Sequence, residues 1–221
     1  ASNLLHYDLV FNACECNDND RNSSGAGDAY AAMDAYLAGG GRLIATHYFY
    51  NWFAPPTGAA ELQTVASWAI PEQIVPYSKY YVESTFPKGQ ALADWLQYRN
   101  TTTTYGEVAL TDTRSNMTAA PAPTAQWIYN ANTSNGTSVP MIMSFNTPVA
   151  SPFASQCGRG LYTDAHIAGS SDDSTFPNEC SQPDPGNQHQ VNAAVMEFLF
   201  FELSSCTQDL SQPTMVPPTV P

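Results

Sequence analysis

Apolar and polar positions divide this 221-residue chain into regular ends and an irregular middle. Tyr-Asp-Leu-Val-Phe-Asn-Ala (7–13) is a short apolar run and predicts a buried strand. A polar loop from Asn17 to Gly27 follows, carrying Asp18 and Asp20 and leading to Asp28. Within 28–38, Ala29, Met33, Tyr36 and Leu37 recur at helical spacing. Gly39-Gly40-Gly41 stops that helix as a glycine C-cap would. Arg-Leu-Ile-Ala-Thr (42–46) reads as a second buried strand. Strand, helix, tight glycine turn and strand predict a parallel pair with a right-handed crossover.

After His47-Tyr-Phe-Tyr-Asn-Trp-Phe53 the regularity falls away. Residues 54–140 are rich in Pro, Thr and Asn, with one helix expected near Gly89–Tyr98 and one strand at Ala125–Tyr129. Their apolar runs are too short for a core of their own, so they read as a long insertion over the scaffold. Such insertions often shape a binding face. Strands are expected again at 141–145 and 159–168, and a polar loop at 169–187. The strongest helix spans about 188–204, with Val191, Ala194, Val195, Phe198, Leu199 and Phe201–Leu203 forming its stripe. The Pro/Thr-rich end reads as a linker. The expected organisation is one α/β domain over 1–210, with 211–221 as a linker or tail.

Composition narrows the function. Apolar residues make up 43% of the chain, which is not a disordered composition, while charged residues make up only 12%. Arg21, Arg42, Lys79, Lys88, Arg99, Arg114 and Arg159 are its seven basic residues, and the net charge is −13. No basic cluster exists to displace counterions, which argues against nucleic acid and anionic membrane surfaces as partners. Cations are the natural small partners of such a surface. No signal peptide and no long apolar span are visible, so membrane insertion is not expected. A start at Ala1 without Met suits a processed or excised piece. Five cysteines, Cys14, Cys16, Cys157, Cys180 and Cys206, lack zinc-ribbon spacing. A polar, Lys-poor surface favours disulfides in an oxidising compartment over reduced buried thiols. The expected location is extracellular or at a cell surface.

Six segments carry a family resemblance: YDLVFNACE (7–15), AYLAGGGRLIATHYFYNWF (35–53), FPKGQALADWL (86–96), SFNTPV (144–149), CGRGLYTDAHIAG (157–169) and MEFLFFELSSC (196–206). Together they resemble the class I glutamine amidotransferase-like fold, particularly ThuA-like domains. They look like a group of secreted bacterial proteins of unknown function that carry this fold beside carboxypeptidase-regulatory-like modules. The resemblance implies a three-layer, flavodoxin-like α/β fold with a mostly parallel sheet. It also implies a further strand-helix-strand before Tyr7, which this sequence lacks. A separate segment, or another chain, is then expected to complete the sheet edge.

Ligands of open parallel sheets bind at the carboxyl ends of the strands. Glu15, His47, Asp164 and His166 all fall there. In the amidotransferases the position resembling His47 is a nucleophilic cysteine on a tight strand-to-helix turn, and the one resembling His166 is its base. Residues 46–48 hold no cysteine, so glutamine hydrolysis by thiolate attack is not expected. Glu15, His47 and His166 suit Zn, Fe or Mn, and Asp164 lies two residues from His166. They equally suit metal-free acid–base chemistry, or a decayed site with satisfied imidazoles. Whether the chain is an enzyme stays open here, with a non-catalytic role favoured.

Lesser signals complete the reading. Tyr48, Tyr50 and Trp52 are either core or a stacking platform for a sugar or aromatic ligand. Trp68, Trp95 and Trp127 read as core, and His6 and His189 as surface. Acidic loops 17–20 and 172–173 fit Ca²⁺ less well than a solvated role. Asn22, Asn100, Asn116, Asn132 and Asn135 begin glycan acceptor patterns, several of which arise by chance in such a composition. From topology, Cys157 pairs with Cys206 at the amino edge, and Cys180 pairs with Cys14 or Cys16 at the carboxyl edge. The favoured function is a non-catalytic module binding a glycan or protein partner, or forming part of an assembly. The alternative is a metal-dependent or His-assisted hydrolase using Glu15, His47 and His166.

Overall fold

The structure, a computed structural model, describes residues 3–13, 28–70, 79–111, 113–131, 138–165, 188–204 and 207. Helix α1 (Ala29–Ala38) starts where Asp28 Oδ1 accepts a hydrogen bond from the Ala31 N–H at 2.9 Å. At its end the Gly41 N–H bonds to Tyr36 O and the Gly40 N–H to Leu37 O. Gly40 has φ +102°, the left-handed conformation this double-bonded cap requires. The chain turns directly into strand β2 (Arg42–Thr46), which runs parallel to β1 (Val10–Asn12). The expected β-α-β opening is present.

Further along come β3 (Ser67–Trp68), β4 (Tyr80–Val82), α2 (Pro87–Tyr98), β5 (Glu107–Val108) and β6 (Met117–Ala119). The remaining elements are β7 (Ala125–Ala131), β8 (Ser138–Thr147), β9 (Gly158–Thr163) and α3 (Gln188–Ser204). The main sheet has the order β1-β2-β9-β8-β7-β4-β5, and β3 pairs with β6 in a separate ladder. The sheet is mixed. β1–β2 and β2–β9 are parallel, whereas β9–β8, β8–β7, β7–β4 and β4–β5 are antiparallel. This corrects the expectation of mostly parallel pairing. The links at 132–137 and 148–157 are shorter than a parallel crossover needs, so β7, β8 and β9 must fold back on one another.

The middle of the chain is also more than a cover. It supplies β4, β5 and β7 to the main sheet. Short strands escaped the sequence reading because their pairing is non-local. β8 is longer than the predicted 141–145 and carries Pro140 within it.

Side chains alternate across the sheet and make three layers. On one face Ile44, Leu161, Ile142 and Trp127 pack against Leu92 and Leu96 of α2 and Val191, Ala194, Val195 and Leu199 of α3. On the other, Leu43, Ala45, Met143, Phe145 and Tyr162 pack against Tyr30, Met33, Tyr36 and Leu37 of α1, with Phe49, Tyr50, Trp52 and Phe53 beside them. A Cβ at Gly158 would run into the Leu37 carbonyl, so that glycine lets α1 lie close on β9. Trp127 is fully buried, and Trp68 and Trp95 pack against the two cores. His6 is exposed. Among the described residues no helix is long and apolar enough to cross a membrane.

At the amino edge of the parallel strands, cations gather round the end of α3. Lys88 and Arg159 are buried and both pair with Glu202. Arg159 Nη1 also donates to Glu202 O at 3.2 Å, and Arg42 Nε to Leu203 O at 2.6 Å. Positive groups on the last carbonyls of a helix offset its dipole. Burial lowers the Lys88 and Arg159 pKa values, and Glu202 opposes that shift in both.

Candidate functional site

The carboxyl ends of β1, β2 and β9 lie side by side through the register Asn12, Ala45 and Tyr162. β2 hands over at Thr46 to a 3-10 turn, His47–Trp52. His47 opens that turn with φ +50°, a left-handed conformation for a residue with a Cβ. Such a conformation costs about 1–2 kcal/mol. Strained positions of this kind concentrate at functional sites, so the observation points to His47. Its ring is half-buried and stands edge-on to Tyr48, with centroids 6.4 Å apart.

Behind His47 lies a buried hydrogen-bond relay. The Tyr162 hydroxyl is 2.9 Å from His47 O and 2.7 Å from Asp164 Oδ1. Asp164 is fully buried, and its Oδ2 accepts from the Met117 N–H at 3.2 Å. Its backbone is fixed by Asp164 N–H to Met141 O and Arg114 N–H to Asp164 O, both 2.8 Å. Burial first, then the neighbouring Asp164 charge, push the Tyr162 hydroxyl well above the ordinary tyrosine range. The Tyr80 hydroxyl, 2.7 Å from Thr113 Oγ1, is also raised, chiefly by burial.

Arg114 forms the outer wall. Its guanidinium sits over the Tyr48 ring, 4.1 Å from the centroid, and its Nε donates to Asn116 Oδ1 at 2.9 Å. A cation over an aromatic face in this way is attracted by the ring quadrupole. Trp52 Nε1 donates to Asn12 Oδ1 at 3.1 Å and ties the 3-10 turn to the end of β1.

Of the predicted constellation, the structure links the His47 backbone carbonyl to the Asp164 carboxylate through Tyr162. Glu15 and His166 lie outside the described residues, and so do the side chain of His189 and the loops 17–20 and 172–173. The proposed metal set Glu15, His47 and His166 is therefore represented here by His47. Among the described residues no three His, Cys, Asp or Glu side chains gather as a metal set. Asp164 accepts from the Tyr162 hydroxyl and the Met117 N–H and acts as an internal anchor.

Two of the aromatic candidates are buried. Tyr50 is 4% exposed and Trp52 7%, and their rings pack on Trp68 and Tyr30. They belong to the core, because a run on a 3-10 turn directly above a sheet has little open face. Tyr48 is half-buried beneath Arg114. Sequence reasoning missed Tyr162 and Arg114. The period-2 spacing of Tyr162 and Asp164 was the available signal for the first; nothing local signals the second.

Cys157 is exposed with a free thiol, 3.5 Å from Ala38 O. Its expected partner Cys206, and Cys14, Cys16 and Cys180, lie outside the described residues. Asn116 is buried and donates to Ala69 O, so it is no glycan acceptor, whereas Asn100 is exposed.

Compared with known proteins, the chain matches no family model and no curated protein sequence.

Proposed function

We propose that this chain is an extracellular or cell-surface module of the ThuA-like, class I glutamine amidotransferase-like type, binding a glycan or protein partner without turning it over. One observation carries the reading. Asp164, the carboxyl-edge acid among the described residues, is fully buried, with its two oxygens accepting from Tyr162 and Met117. A general base must reach the proton it abstracts, and an enclosed carboxylate does not. The low charge and acidic balance agree with a surface that meets neutral partners.

A second reading is favoured by the left-handed His47 at the end of β2. It is a metal-dependent or His-assisted hydrolase working through Glu15, His47 and His166. A third, membership of an assembly, is favoured by β1. That strand ends the sheet as described, with Phe11 43% exposed. A strand added there by another chain or segment would cover it.

The deciding experiment presents chromogenic glycosides, esters and peptides to the wild type and to His47→Ala, with and without added Zn, Mn or Fe(II). The module reading expects equal background from both proteins. Turnover that depends on His47 overturns it in favour of the hydrolase.

A further inference from the structure

At the amino edge, opposite His47, three segments border an open cavity of about 550 Å³. They are the turn after β4, the entry to β7 and the loop after β8. Glu83, Phe86, Gln126, Asn146, Phe153 and Gln156 are among the lining residues. The volume falls within the range of about 300–1,000 Å³ usual for small-molecule sites. Ala125 and Gln126 of β7 and Asn146 of β8 anchor the cavity to the sheet, and turn and loop residues supply the rest of its lining.

We infer that this cavity is a binding site for a neutral saccharide. The inference rests on the binding-module reading and names the ligand class. Charge excludes the anionic ligands first. Among the described residues no Lys, Arg or His lines the cavity, Glu83 contributes a carboxylate, and the net charge is −13. A phosphate, sulfate or uronic acid would meet repulsion with no counter-ion. Glu83 is itself partly satisfied, since its Oε1 accepts from Thr85 N at 3.1 Å and Thr85 Oγ1 at 2.6 Å. That fixes the carboxylate and leaves Oε2 as a directed acceptor for a hydroxyl rather than a bare charge seeking a cation.

The remaining groups are those a polyhydroxylated ring uses. Phe153 stands at the rim, 44% exposed, and offers an apolar face to the C–H side of a sugar. Phe86 is held from behind by Trp127, edge to face at 5.2 Å. Gln156 Nε2 donates to Pro148 O at 3.1 Å, which fixes the amide and leaves its oxygen as an acceptor. Asn146 Oδ1 is enclosed and has no hydrogen-bond partner. An unmatched buried acceptor costs about 1–3 kcal/mol. Rotation about the soft terminal torsion of Asn146 lets a ligand hydroxyl relieve it.

The test is calorimetric titration of the purified chain with neutral oligosaccharides, an acidic oligosaccharide and a simple alkylammonium salt. Phe153→Ala, Gln126→Ala and the remote aromatic control Tyr98→Ala are titrated in parallel. A neutral saccharide is expected to bind the wild type and Tyr98→Ala alike, with the two cavity variants weaker by about tenfold or more. The thermal midpoint of Phe153→Ala should stay close to wild type, because its ring is at the rim. Equal binding to all four proteins overturns the cavity assignment while leaving the module reading intact. Binding of the acidic or cationic probe through the cavity, in place of the neutral ones, overturns the ligand class. Absence of any saccharide binding at millimolar concentration overturns the inference, and the His47 turnover experiment still decides the module reading by itself.

Discussion

The two edges of the sheet bury charge in opposite ways. At the carboxyl edge the buried group is a carboxylate, Asp164, met by a hydroxyl and a backbone N–H. At the amino edge two buried cations, Lys88 and Arg159, converge on one carboxylate, Glu202. A hydroxyl and a backbone N–H fix the direction in which the carboxylate is held. Opposite charges cancel, but each depends on the other being present. The amino edge therefore fastens α2, α3 and β9 together, while the carboxyl edge supports a strained backbone at His47. One edge is built for cohesion and the other for holding a geometry.

The largest effect should come from removing the shared anion. Glu202→Gln leaves Lys88 and Arg159 buried without a countercharge, and breaking a buried pair in this way costs about 3–5 kcal/mol. Urea denaturation of the variant measures it. A loss below about 1 kcal/mol would mean that the cations reach solvent, and the contrast between the edges would collapse.

Tyr162→Phe probes the other edge at smaller amplitude. It removes one hydroxyl donor from Asp164 and His47 O, for an expected loss of about 1–3 kcal/mol. The same variant has a pH signature. The folded Tyr162 pKa is raised, so below about pH 10 the group is protonated in both states and its contribution is whole. Above that the unfolded chain loses the proton and the folded chain keeps it. Stability then falls by up to about 1.4 kcal/mol per pH unit from this group, and the fall should be shallower in Tyr162→Phe. Lys88 has the opposite sign. Its folded pKa is lowered, so the unfolded chain binds more protons in the window below about pH 10.4, and stability rises with pH there. Lys88→Met should flatten that rise. Stability curves from pH 8 to 11 on the three proteins separate the two edges.

How far these edges could be read in the sequence follows from the same physics. α1, β2 and the glycine cap were legible because each is set by neighbours within a few residues. Asp28, Tyr36 and Gly40 determine that helix almost alone. His47 could be placed at the carboxyl edge because a strand ends at it, and a ligand edge follows from parallel pairing. Lys88, Arg159 and Glu202 could not be grouped, since they sit on α2, β9 and α3 and meet only after those elements pack. The antiparallel half of the sheet was equally hidden. Strands as short as β4 and β5 carry almost no period, and their partners are chosen by the fold. Tyr50 and Trp52 could not be told from core residues in the sequence, because an aromatic run looks the same whether it faces a core or a ligand.

Strain at His47 can be isolated by comparing two substitutions at one position. His47→Gly and His47→Ala both lose the imidazole, so their difference reports the backbone. With φ +50° the glycine variant should be the more stable by about 1 kcal/mol. Equal stabilities would mean that the turn relaxes once the ring is gone, and the carboxyl edge would then hold no geometry against its preference.

The smallest effect is expected at Cys157, on the amino edge but outside its charge cluster. Its thiol is exposed and free, and Gly40 lies beside it. Cys157→Ser should change stability by no more than about 0.5 kcal/mol, as for other surface substitutions. Iodoacetamide should alkylate Cys157 in the native, unreduced protein, as read by peptide mass mapping. Protection until a reductant is added would give the opposite picture. Cys157 would then be joined to another cysteine, Cys206 by the topology of α3 and β9, and its removal would cost about 2–5 kcal/mol. In that case the amino edge would be closed by a covalent clasp as well as by charge, and the weakening expected from Glu202→Gln would shrink when measured without reductant and recover with it.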